Sequence, residues 1–263
     1  MKDQEFFTDS NNKVPALTTA QMREVDRVAM QETGPSLFQM MENAGRNLAE
    51  MALERLGRDW QKVRVIVLAG TGGNGGGGIT AARHLANRGA QVELCLAAPD
   101  KLSEVAEWQR RVFQSTSGKE AQFRNLDLAP VHLILDALIG YSLQSAPQVI
   151  FAELIRWANT TRAPIISLDV PSGVDSTTGA TPGEFIRPSC TMTLALPKSG
   201  LAGAEVGELN LADIGIPEAT FRRASVSYSS PFGNRFRVRL FIRPRKTFLR
   251  QEKLLISLDG GKT

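Results

Sequence analysis

The stretch from Val63 to Gly89 reads VRVIVLAGTGGNGGGGITAARHLANRG. Its first part, Val63 to Ala69, is a short apolar run of the kind that forms a strand buried on both faces. The chain then passes through Gly70 to Gly78, where seven of the nine residues are glycine. From Ile79 to Ala86 the apolar residues return at helical spacing, and Gly89 marks the stop. Strand, glycine loop and helix together form an anion cradle. Backbone N–H groups without side chains approach a phosphate closely, and the helix N-terminus adds partial positive charge. Each glycine carries an entropic cost, so a run this dense points to a ligand or to a close approach of backbone.

Working outward, the same strand–helix alternation continues. Strands are expected at 63–69, 91–97, 131–136, 164–169 and 191–196, and helices at 78–88, 101–116 and 147–159. Two helices come first. One runs from Ala20 to Gln31, capped by Thr18 or Thr19, and one from Ser36 to Leu56, stopped by Gly57. This order predicts an α/β fold with a parallel sheet covered on both faces, binding its ligand beyond the strand C-termini. Residues 1–16 read as a flexible lead, 17–221 as the folded domain, and 222–263 as a basic C-terminal segment of uncertain structure. Within that segment Phe236 to Leu240 and Lys253 to Leu258 are candidate edge strands.

Composition sets the bounds. With 263 residues, 42% hydrophobic and 22% charged, the chain is an ordinary globule of one large or two small domains. No apolar run approaches a membrane span. The polar, acid-containing start MKDQEFFTDSNNK fits neither a signal peptide nor a mitochondrial transit sequence. Cys95 and Cys190 lie in apolar runs, and are expected to be reduced core residues of a cytoplasmic protein. Two histidines, His84 and His132, without paired Cys/His spacing make a zinc site a poor reading. The net charge of +4 hides an asymmetry, because Arg222 to Lys253 holds ten basic residues and one acid. The rest of the chain is net acidic and gives no warrant for nucleic-acid binding.

Three expected strand C-termini carry unusual sequences. The first leads into the glycine loop, with Asn74 as its only amide. The second, Ile134 to Ser142, ends an apolar strand on Asp136. The third, Ile165 to Asp175, ends on Asp169 and continues through Val170-Pro171 to Ser172. Parallel strands bring these ends to one edge, and with them Asn74, Asp136, Asp169 and Ser172. The cluster offers hard oxygen ligands, glycine N–H donors and two acids, with no thiol and no lysine nearby. It suits a phosphate-bearing ligand and a hard cation. Two close carboxylates can also divide into a base and an acid.

Rival readings exist. Gly70 to Gly75 matches G-x-G-x-x-G with Glu93 about twenty residues on, as in a dinucleotide-dependent dehydrogenase. Glu93, however, falls mid-strand, and two helices precede the first strand. Ile79 stands where a P-loop needs lysine. His84 reads as packing, and Glu42 and Asn43 as helix surface.

Taken together, these residues resemble the NAD(P)H-hydrate epimerase family, also described as the YjeF N-terminal domain family, over Leu17 to Pro217. The resemblance rests on Leu17 to Asp26, Met41 to Gly45, Ala81 to Leu85 after the glycine loop, Asp136 to Gly140, Asp169 to Gly173 and Asp213 to Pro217, in order. It implies a Rossmann-like three-layer α/β/α sandwich with a mostly parallel central sheet and two N-terminal helices, often dimeric. The implied activity interconverts the R and S forms of NADH and NADPH hydrated at C6 of the nicotinamide ring, so that a separate dehydratase can restore the S form. A bound potassium ion is implied, with Asn74, Asp136 and Ser172 as ligands. The implied substrate contacts are Gly73, Asn74, Gly75, Gly76 and Gly77, then Gly140, Tyr141, Ser142, Leu143, Gln144, Ser145 and Ala146, and Asp169. Asp136 is the expected acid–base group at the C6 carbinol. Three positions depart from the family pattern. Gly77 stands where an acid is common, Ala98 where a lysine is expected, and Ser145 where glycine is frequent. A non-catalytic nucleotide-binding or scaffold relative is the alternative.

Overall fold

In the computed structural model, which describes residues 4–126 and 130–244, the chain opens with strands β1 (Gln4–Thr8) and β2 (Lys13–Val14). Helices α1 (Thr19–Val28) and α2 (Leu37–Leu56) follow. Then come β3 (Arg64–Ala69), α3 (Gly73–Ala86), β4 (Gln91–Leu96), α4 (Glu104–Gln114), β5 (Lys119–Glu120), β6 (Leu133–Ala137), α5 (Val149–Thr160), β7 (Ile165–Leu168) and β8 (Cys190–Leu194). The chain ends its described part with β9 (Glu208–Ala212), α6 (Glu218–Arg223) and β10 (Arg237–Pro244). Both N-terminal helices begin with a reciprocal cap, Thr18 with Gln21 and Ser36 with Gln39, which satisfies two otherwise orphaned backbone donors at each start.

The strands form one ten-stranded sheet in the order β2-β1-β10-β9-β8-β7-β6-β3-β4-β5. The pairs from β9 across to β5 are parallel, and the edge pairs involving β10, β1 and β2 are antiparallel. Strand alternation divides the core between two faces. Val65, Val67, Ala69, Leu133 and Leu135 pack with α2, α3 and α4. Ile66, Leu68 and Ile134 pack with Leu154, Ile155 and Ala158 of α5. The result is the expected α/β fold, a mostly parallel sheet flanked by helices. Strand order reverses between β3 and β6, the place where such sheets open a crevice at their C-terminal edge.

Three regions differ from the sequence reading. Residues 4–8 of the expected flexible lead form β1, which pairs with β10. Phe6 supplies the reason, being 1% exposed in an apolar cluster with Leu209, Val238 and Leu240. The expected edge strand Phe236 to Leu240 forms as β10 and runs on to Pro244, but it is interior to the sheet, paired with both β1 and β9; Lys253 to Leu258 lies outside the described residues. Finally, α3 begins at Gly73 rather than at 78, so most of the glycine run is helix. A Cβ on Gly78 would meet the Ala137 side chain, and one on Gly75 the carbonyl of Gly70. Glycine costs ~1 kcal/mol relative to alanine inside a helix; here it lets α3 lie directly on the strand ends.

Candidate active site

The N-terminus of α3 opens on the crevice between β3 and β6. Gly72 caps it without a side-chain hydrogen bond, which leaves first-turn N–H groups free for an anion. A cleft of about 290 Å³ lies here, walled by α1, α2, the start of α3 and the ends of β6, β7 and β8. Its lining combines the apolar side chains of Met22, Met30, Met40 and Met41 with the polar ones of Asn74, Tyr141, Asp169, Lys198 and Asp26.

Asp169 stands one residue past β7 at φ 69°, a left-handed conformation that aspartate tolerates better than most residues. Its carboxylate accepts from the backbone N–H of Tyr141 at 3.2 Å and of Leu194 at 3.3 Å. It also forms a short ion pair with the ammonium of Lys198, whose side chain is 1% exposed. Lys198 donates in addition to the Leu194 carbonyl at 2.9 Å and lies 5.9 Å from the centre of the Tyr141 ring. The Tyr141 hydroxyl donates a short hydrogen bond to Asp26 on α1. Burial pushes the Asp26 carboxyl above the usual carboxylate range, against the opposing pull of that hydrogen bond and of the Lys198 charge. Burial beside Asp26 likewise pushes the Tyr141 phenol up.

Asp136 is placed differently. It is 0% exposed and is not part of the cleft wall. Its oxygens accept from Ser167 Oγ at 2.7 Å, Ser172 N at 3.0 Å, Ser172 Oγ at 2.5 Å and Leu138 N at 3.3 Å. Burial raises its pKa while these hydrogen bonds oppose the rise. Asp136 thus stands outside the cleft wall, whereas the sequence reading sets it at the reacting carbinol; its bonds tie β6, β7 and the Val-Pro-Ser loop together. Strand alternation is the cause. Asp136 shares a face with Ile134, on the α5 side, whereas the cleft opens on the side of α2 and α3.

Among the other expected contacts, Gly73, Asn74, Gly77, Gly140, Tyr141, Ser142 and Asp169 line the cleft. Gly75 and Gly76 are buried in α3, and Leu143, Gln144, Ser145 and Ala146 lie outside the cleft wall, on the way to α5. The expected absence of a lysine is corrected. Ala98 leads into the short turn at Pro99–Lys101 and is not part of the cleft wall, but Lys198 enters the cleft from beyond β8. Its signal was present, since Leu196-Pro197-Lys198 follows an expected strand whose end belongs to the same edge. Asp26 gave no such signal, because only the packing of α1 brings it here. Glu93 pairs with Arg64 at 2.7 Å, away from the cleft. His84 and Arg83 bond Glu42, joining α3 to α2.

Do these residues suit the implied potassium ion? Of the Asn74 amide, only Oδ1 can ligate a cation, while Nδ2 is buried without a hydrogen-bond partner. The buried Asp136 carboxylate is surrounded by neutral donors rather than by a cation. The segment Ile139–Gly140 brings the parts together, since Ile139 N donates to Ser172 Oγ at 2.8 Å and Gly140 lies against the Asn74 side chain. Amide, carboxylate and hydroxyl are hard donors that suit such an ion. Among the described residues no group of three or more His, Cys, Asp or Glu could hold a metal, and a site with a single carboxylate is not of that kind. No described helix is long and apolar enough to cross a membrane.

Comparison with known proteins follows the same lines. The chain is 52% identical over 236 residues to the NAD(P)H-hydrate epimerase of Dehalogenimonas lykanthroporepellens, covering 89% of this chain and 96% of that one. It is 36% identical over 231 residues to the Bifunctional NAD(P)H-hydrate repair enzyme Nnr of Salinibacter ruber, covering 80% of this chain but spanning 42% of that protein. The crystal structure of yeast ynu0, YNL200c, superposes with a TM-score of 0.73 at 21% identity, covering 86% of this chain and all of that one, and so shares the fold. The family model described as YjeF-related protein N-terminus matches residues 37–200, and the chain belongs to that family.

Proposed function

We propose that this protein interconverts the R and S hydrates of NADH and NADPH, an isomerase serving repair of the nicotinamide nucleotides. The observation that carries the reading is the 52% identity across 96% of the length of a protein named NAD(P)H-hydrate epimerase. The cleft supports it. The α3 N-terminus suits the pyrophosphate. The methionine-lined wall suits a ring that presents its hydroxyl on either face, because methionine adapts its shape. Asp169, held by Lys198 and by backbone N–H groups, is the carboxylate given the proton transfer at the C6 hydroxyl, in place of Asp136. Asn74, Asp136 and Ser172 would hold potassium. When bound, that ion supplies positive charge beside the buried carboxylate and near the phosphates. Homodimeric assembly and a cytoplasmic location belong to the same reading; both cysteines are buried free thiols, which supports the location. Coupling to a separate NAD(P)HX dehydratase is supported by the bifunctional repair relative.

The test is epimer equilibration. Purified R-hydrate of NADPH is incubated with the protein in potassium buffer, and the R/S ratio is followed by chromatography alongside absorbance at the reduced-nicotinamide band. Rapid approach to the equilibrium ratio without net redox change is expected. A rate no faster than buffer, from folded protein that binds nucleotide, would leave a non-catalytic binding protein.

A further inference from the structure

The reaction asks for two proton-handling groups. As the hydroxyl leaves one face of the ring, the C6–O bond breaks, the oxygen takes a proton and departs as water, and the ring-nitrogen lone pair forms a C6=N1 bond. As water adds to the other face, a new C6–O bond forms, the electron pair returns to N1, and the added oxygen gives up a proton. Nothing is oxidised or reduced. One proton is delivered on one face and one is removed on the other.

Resting on the epimerase reading, we propose that Asp26 is the second acid–base residue of this cleft, serving the face of the ring opposite Asp169. Two carboxylates line the cleft, Asp26 from α1 and Asp169 from beyond β7. Tyr141 joins them, its hydroxyl donating to Asp26 and its backbone N–H donating to Asp169 at 3.2 Å. The two carboxylates have different surroundings. Asp169 faces an ammonium, whereas Asp26 faces a phenol, and burial favours its protonated form. Two carboxylates in unlike surroundings, one paired with an ammonium and one bonded to a phenol, suit a face-to-face transfer.

Asp26 is also held in place. The Thr19 hydroxyl at the start of α1 shares a 2.6 Å hydrogen bond with Ser176 Oγ, which in turn donates to the Tyr141 carbonyl at 2.8 Å. Thus α1 meets the Tyr141 segment at two points, and the Asp26 carboxyl does not depend on a loose side chain for its position. The motif Met22-Arg23-Glu24-Val25-Asp26 lies outside the 37–200 match, and its acid has a use here beyond helix surface.

The experiment follows oxygen as well as configuration. R- and S-hydrates of NADPH are each incubated with the full-length protein in ¹⁸O-water, and chromatography with mass spectrometry reads the epimer ratio and the label at C6. Asp26→Asn keeps the shape and can still accept from the Tyr141 hydroxyl. Interconversion is expected to fall by ~10²–10⁴-fold with KM changed by less than about 3-fold, while one epimer alone still exchanges its hydroxyl with water. Interconversion within about ten-fold of the unaltered protein, or exchange lost equally from both epimers, would overturn the assignment. An unaltered protein that interconverts nothing would overturn the epimerase reading itself, and the role of Asp26 with it.

If Asp26→Asn does not fold, Tyr141→Phe carries the test. Removing the phenol hydrogen bond raises the Asp26 pKa further, so one limb of the kcat–pH profile moves to higher pH. Lys198, Asp169 and, beside the phenol, Arg23 are the charged groups facing this pair, and all three remain. An unmoved profile overturns the proposal.

Discussion

Asp136 and Asp169 end neighbouring parallel strands with the same residue type, yet one is sealed and the other faces the cleft. Asp136 is still inside the ladder, opposite Ser167 of β7, and its direction is set by the pleat. Asp169 stands one residue past the last ladder position of β7, at φ 69°, where the pleat no longer dictates direction. A carboxylate at a strand end thus points into the interior or into the cleft according to a single position relative to the last paired residue.

Substitution at the two positions should separate activity from stability. Asp169→Asn is expected to lower kcat by ~10²–10⁴-fold. It also strands the buried Lys198 ammonium, at a cost on the order of 3–5 kcal/mol measured by denaturant unfolding. Adding Lys198→Met to Asp169→Asn should recover most of that stability and none of the activity. Asp136→Asn acts on stability, through mismatched partners at Ser167 and Ser172, by about 1–3 kcal/mol. The contrast fails if Asp169→Asn turns over normally, or if Asp136→Asn melts like the unaltered protein.

Potassium sharpens the same comparison. A ligand that binds the native state raises its melting temperature by mass action. Potassium chloride is expected to raise the melting temperature above that in choline chloride at equal ionic strength. Asp136→Asn should erase the difference, and Asp169→Asn should keep it. Equal melting of the unaltered protein in both salts would remove potassium from the reading.

The strands and most helices were legible because their signal is local. Apolar runs such as Val65 to Ala69 need only their own neighbours to be read, and Asp136 and Asp169 announce themselves by following such runs. The glycine helix was not legible, because propensity assigns glycine to loops and only the contacts of Gly75 and Gly78 with other elements explain the helix. Strand β1 was missed because its single fully inward aromatic, Phe6, makes no periodic pattern over so short a stretch. Lys198 and Asp26 reach the cleft through tertiary packing, from segments 172 residues apart in the numbering. Side chains that meet only after folding leave no pattern of spacing to count.

The glycine run contains the same division between sealed and open, and it yields the smallest effects. At Gly78 a methyl group would press on Ala137, so Gly78→Ala should destabilise by about 1–3 kcal/mol through overpacking. At Gly72 nothing lies within 4 Å of a built Cβ, and φ −102° with ψ −154° is open to any residue. Gly72→Ala should change stability by less than ~0.5 kcal/mol. Gly72→Asp is more informative. An aspartate at that cap accepts from the first-turn N–H groups and favours the helix dipole, so stability should hold or rise by a few tenths of a kcal/mol. The same carboxylate occupies donors offered to a phosphate and repels its charge, so nucleotide-induced stabilisation should shrink. A Gly72→Asp protein that is as stable as the parent and binds nucleotide equally well would show that the start of α3 is not where the phosphates rest.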